Sequence, residues 1–136
     1  MQLIPTFWLE CWLTIRKQEQ CRLARELMTE NVDAWICRIV LVETVWVLQS
    51  AYQFNKEQIL LIFEKLIQHP NFHLEDATNL YSVLTIFSAG NAGFADCLIL
   101  NDAQHNQLIL HTFDLKLSRL HGAKRVEKGV IKKVKG

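Results

Sequence analysis

The chain has 136 residues, half of them apolar, enough to bury a core and too apolar for a disordered or low-complexity protein. Fifteen lysines and arginines stand against fourteen acids, a formal net charge of +1, which excludes binding to nucleic acid or membrane by bulk charge alone. Cys11, Cys21, Cys37 and Cys97 form no CxxC pair and follow no secretory leader. They support neither a zinc ribbon nor a disulfide framework, and reduced thiols in a cytoplasmic protein are expected.

The opening MQLIPTFWLECWLTI is apolar, but it lacks a basic n-region and Pro5 and Glu10 interrupt it, so it is too short and broken to span a bilayer. Trp8 and Trp12 fall on one helical face with Cys11, a spacing that usually marks core. Gln20 to Met28 reads as a helix, and DAWICRI as a short buried strand. Leu41, Val45, Leu48 and Tyr52 give one face of a helix over 40–52, with Glu43 on its first turn or two and Trp46 in the interior or at a subunit contact.

Asn55 with Gln58 predicts a capped helix carrying Ile59, Phe63 and Leu66 and ended by Pro70. A short strand follows at Phe72 to Leu74. Asp76 opens a helix with Leu80, Val83, Leu84 and Phe87 on one face and Gly90 as its stop. A further helix runs from Phe94 to about His105, with Asp96 near its start. Leu108 to Phe113 is a β-rich run that leaves Asp114 at the carboxyl end of a strand, where open α/β sheets bind ligands. Alternation of short strands with longer helices predicts an α/β fold with a mostly parallel sheet.

Glu43 in LVETVWVL, Asp96 in GFADCLIL and Asp114 closing LILHTFD all sit in apolar sequence. Burying an unpaired carboxylate is costly, so three such residues are economically explained by convergence on a cation held by oxygens. Each acid also has a plainer reading. Glu43 and Asp96 suit helix N-terminal carboxylates facing the macrodipole, and Asp114 suits the cap of a short helix beginning at Leu115. His69 and His73 have zinc-like spacing, but Pro70 between them breaks the helical geometry.

The motifs RLARELM, VLVETVWVLQSAY, GFADCLI and HTFDLKLSRL, in this order, resemble the PIN-domain ribonucleases, specifically VapC-type toxins, over about Glu19 to Val126. The resemblance implies a three-layer α/β/α sandwich over residues 1–126 and a Mg²⁺- or Mn²⁺-dependent endoribonuclease of a toxin and antitoxin pair. Glu43, Asp96 and Asp114 would be its metal ligands, with Thr112 shaping the site by hydrogen bonding. It further implies an RNA substrate, a homodimer, and a VapB-like antitoxin that contacts DNA in place of this chain. A second reading is a PIN domain without catalysis that binds antitoxin or RNA, and a third is an unrelated α/β binding module, which requires the acids to lie apart.

One departure bears on that choice. The family opens with a strand ending in Asp-Thr-Asn, which supplies its first acid, whereas here Leu3 or Ile4 holds that place and no acid precedes Glu10. Suitably chosen codons for residues 1–18, read from the third base of each, spell AIDTNVLVRMLVDDPEA, which looks like the missing opening. The expectation is a wrong-frame segment with the frame restored near Gln18 to Gln20. At the other end Lys124, Arg125, Lys128, Lys132, Lys133 and Lys135 crowd into the last thirteen residues beside one acid, Glu127, with 127–136 a basic tail. Such a cluster could touch RNA or an acidic partner, but the plainer reading is a solvated, frayed end.

Overall fold

The computed structural model describes residues 1–13, 19–29 and 32–126, with backbone alone for 27–29. The basic tail expected over 127–136, and part of the expected frame-restoring point, lie outside the described residues. The chain divides into two compact units, Met1–Ala77 and Thr78–Gly136.

The first unit holds strands β1 (Gln2–Leu3), β2 (Ala34–Ile36) and β3 (Phe72–Leu74) and helices α1 (Thr6–Trp12), α2 (Glu19–Thr29), α3 (Arg38–Ser50) and α4 (Lys56–Gln68). The strands pair in parallel in the order β1-β2-β3, Gln2 opposite Ala34 and Ala34 opposite Phe72. Parallel neighbours need long crossovers; α1 and α2 form the first and α3 and α4 the second. Ile4, Leu9, Ile36, Leu41, Leu48, Ile59, Phe63 and Leu66 are almost fully buried.

The second unit holds α5, whose range Ala77–Ala89 begins at the boundary, then α6 (Phe94–His105), β4 (Leu110–Thr112), α7 (Leu115–Ser118) and β5 (Ala123–Arg125). β4 and β5 are again parallel, Thr112 opposite Arg125. Leu80, Val83, Phe87, Phe94, Cys97 and Leu100 are buried, and the Phe87 and Phe94 rings meet edge to face at 5.9 Å. Parallel strands alternating with helices bear out the predicted α/β class. Among the described residues no helix is long and apolar enough to cross a membrane.

Several local readings shift. The strand predicted at DAWICRI stops at Ile36, because Cys37 caps α3 and the Arg38 amide donates to Glu75 Oε2 at 3.1 Å, committing Arg38 and Ile39 to the helix. The run from Leu108 to Phe113 is strand only over Leu110–Thr112. Pro5 removes no ladder bond, since Ile4 makes the last one, to the Trp35 carbonyl at 3.2 Å, and Pro5 caps α1.

The thiols are not all reduced: Cys11 and Cys21 form a disulfide, Cα atoms 4.7 Å apart, joining α1 to α2. No CxxC spacing announces it, because the pair is made by the approach of two helices. Trp8 and Phe7 pack against that cluster, and Trp12 meets Phe72 edge-on at 4.7 Å. On α2 the exposed Arg22 lies between Glu19 and Glu26. Its hydrogen bond and charge hold the Glu19 carboxyl below the usual carboxylate range.

The Asn55 cap behaves as its sequence predicts: its side chain accepts from the Gln58 amide and the Gln58 side chain accepts from the Asn55 amide, both at 2.8 Å. Asn55→Ala is expected to lower unfolding free energy by about 1 kcal/mol. Urea denaturation measures it, and a loss below about 0.3 kcal/mol would mean that the cap contributes little beyond water.

Candidate functional site

Helical periodicity, not the surrounding sequence, sets the environment of Glu43. It lies on the second turn of α3, whose buried side chains are Val40, Leu41, Thr44, Val45 and Leu48. Ile39, Glu43, Trp46 and Ser50, spaced four, three and four apart, are instead exposed. The apolar run LVETVWVL therefore spans two faces, and the expectation of a Glu43 carboxylate embedded in apolar surroundings is corrected. Trp46, expected inside or at a subunit contact, is 67 % exposed on that outer face. The macrodipole reading of Glu43 also lapses, since the first turn of α3 contains no acid.

A residue that the sequence did not single out meets Glu43. Thr6 Oγ1 donates to Glu43 Oε2 at 2.7 Å. Thr6 opens α1 two residues after Ile4, which makes the last β1 ladder bond, so the start of α1 and the second turn of α3 come together at this carboxylate. Thirty-seven positions separate the two residues, and no local pattern signals the contact.

Asp96 is half-buried in the first turn of α6. Gly93, the residue capping that helix, contributes no side-chain bond, and Asp96 Oδ2 lies 3.9 Å from where a Cβ on Gly93 would stand. The carboxylate thus folds back over the helix start, where the unpaired amides and the macrodipole favour negative charge.

Asp114 is exposed and caps α7. Its Oδ1 accepts from the amides of Lys116 at 2.8 Å and Leu117 at 3.2 Å, while its own amide donates to Thr112 Oγ1 at 3.0 Å. The capping reading of Asp114 is therefore correct. It occupies one carboxylate oxygen, and Oδ2 takes no part in those bonds. Thr112 and Asp114 are brought together; Glu43 lies in the first unit, Asp96 and Asp114 in the second.

The two candidate zinc histidines part company. His69 ends α4, stacks on Phe72 at 4.3 Å and accepts from the Asn71 amide through Nδ1, whereas His73 Nε2 meets Asp33 Oδ1 at 3.1 Å.

The donor chemistry of Glu43, Asp96 and Asp114, all carboxylate oxygen, fits a hard divalent cation. The number of ligands does not: among the described residues no group of three or more His, Cys, Asp or Glu side chains is placed to hold a metal ion. β1 adds no ligand, offering Gln2 and Leu3, and Ile4 beyond it is buried.

A scan against family models matches the one described as PIN domain over residues 8–123. A search of curated proteins finds no match.

Proposed function

The chain belongs to the PIN domain family, which carries a nuclease-type function, and on that premise we propose that it derives from a VapC-type, Mg²⁺- or Mn²⁺-dependent endoribonuclease whose centre has lost its first carboxylate. Its substrate is RNA, its ligands are Glu43, Asp96 and Asp114, and Thr112 orients Asp114. Glu43, Asp96 and Asp114 would hold the divalent ion, which would supply activation of water and neutralisation of charge on the phosphate. The contact between Thr6 and Glu43 carries this reading. An acid ending β1, at Leu3 or Ile4, would enter the neighbourhood of Glu43, which is what a shared cation site requires of it. The family match runs over residues 8–123 and does not include Leu3 or Ile4.

The chain's own residues divide the work. Thr6 holds Glu43 in one orientation; Thr112 and the amides of α7 hold Asp114 with its Oδ1 anchored, and Oδ2 takes no part in those bonds. A small antitoxin would cover the centre, and two copies would form the functional unit.

A second reading, binding of antitoxin or RNA without cleavage, is favoured by the absence of any acid in β1. A mixed RNA pool incubated with Mg²⁺ or Mn²⁺, against EDTA and against Asp96→Asn, separates the two. Slow cleavage abolished by EDTA and by Asp96→Asn is expected of the first reading. Tight antitoxin or RNA binding with no metal-dependent cleavage would establish the second.

A further inference from the structure

Between Leu110 and Val126 the chain carries Lys116, Arg119, Lys124 and Arg125, with Asp114 as its one acid. All four cations are exposed, and among the described residues none has a carboxylate partner. A charge imbalance this local stands out against a net charge of +1 for the whole chain.

The strand register sorts these cations. Thr112 lies opposite Arg125 and His111 opposite Lys124. Successive side chains alternate across a sheet, so Arg125 shares a face with Thr112 and Lys124 takes the other. The Val126 amide donates to the Thr112 carbonyl at 2.7 Å, which draws the carboxyl ends of β4 and β5 together beside Asp114.

The start of β5 is itself fixed. Gln104 Nε2 on α6 donates to the His121 carbonyl at 2.7 Å. Next to it, Gly122 has φ +90° and would place a Cβ 3.1 Å from Gln104 Nε2, so any other residue there is strained. Arg125 is thus held in register from two sides.

We propose that Arg125 binds an RNA backbone phosphate beside Asp114, with Lys116 and Arg119 extending the contact along the strand. A guanidinium presents paired donors that match phosphate oxygens. Neighbouring strands lie about 4.8 Å apart, so the Arg125 backbone lies one strand spacing from Thr112, two residues before Asp114. The inference rests on the nuclease reading in taking RNA as the ligand.

The test is binding of a single-stranded oligoribonucleotide by the full chain in EDTA, across a salt series. Arg125→Gln is expected to weaken binding about tenfold and to reduce the log–log salt slope by about 0.7, one phosphate contact on a single strand. Lys124→Gln, on the opposite face, should weaken it less than about threefold, and Arg125→Lys should fall between, keeping the charge and losing the fork. Equal losses for Arg125→Gln and Lys124→Gln would overturn the proposal, as would displacement of the RNA by poly-glutamate at equal charge concentration. The nuclease reading fails separately: a chain that binds RNA through Arg125 and cuts nothing overturns that reading alone. A chain that cuts while Arg125→Gln binds unchanged overturns only this one.

Discussion

Replacing residues 1–18 by AIDTNVLVRMLVDDPEA is expected to raise metal-dependent RNA cleavage at least about a hundredfold, because one recovered carboxylate ligand restores a few kcal/mol of charge stabilisation at the scissile phosphate. The present opening supplies Gln2 and Leu3 to β1 and buries Ile4. The residue that does reach the candidate site, Thr6, brings a hydroxyl, which is a weaker ligand for a hard cation than a carboxylate. Asp96→Asn in the restored chain should return the rate to that of the present chain. Initial rates with Mg²⁺ and Mn²⁺ provide the measurement. Equal rates for the restored and present chains would detach activity from the opening altogether. Sequencing the gene across codons 1–20 supplies an independent check, since bases that do not spell the family opening in the shifted frame end the wrong-frame hypothesis.

Phe63→Ala should destabilise the chain by about 3–5 kcal/mol, the combined loss of transferred apolar surface and the cavity left behind. Phe63 is 2 % exposed on the buried face of α4. A loss of this size is a large share of the roughly 5–15 kcal/mol that holds a typical domain together. Trp46→Ala is the matched control. It removes a larger aromatic ring, yet at 67 % exposure it should change stability by less than about 0.5 kcal/mol. Urea midpoints compare the two directly. Similar losses would mean that Trp46 is covered in solution, by a second copy or another partner.

The contrast between these two aromatics shows where the sequence was legible. Asn55 and Gln58 announce their helix because the cap is a contact between residues three apart, wholly contained in the pattern that predicts it. Likewise Leu80, Val83 and Phe87 are buried on one face as their spacing requires. Glu43 and Trp46 lie on the exposed face of α3, outside the interior their apolar sequence neighbours suggest, because a helix turns successive residues to different sides. That exposure is compatible with the subunit contact also expected of Trp46.

β5 went unseen. The triplet Ala-Lys-Arg has no strand character of its own and becomes a strand only by pairing with β4. The bond between Cys11 and Cys21 was hidden for the same reason, being decided by the approach of α1 to α2. Of the candidate site, the types of residue came from family resemblance. Their immediate partners, Thr6 for Glu43 and the α7 amides for Asp114, are consequences of folding that no motif spells out.

The all-parallel pairing also governs how the chain reaches its structure. Gln2 must find Ala34, and Ala34 must find Phe72, so no strand can zip onto its predecessor through a tight hairpin. The two ladders of the first sheet close loops of 32 and 38 positions and the β4–β5 ladder one of 13, before their hydrogen bonds repay the lost chain entropy. Folding is accordingly expected in the millisecond-to-second range of nonlocal topologies, slower than a helical bundle of this length. During synthesis β1 emerges first and waits for β2, leaving Leu3 and Ile4 without their neighbours until the chain has grown past Ile36. That interval, more than the finished fold, is when the molecule is most exposed to aggregation.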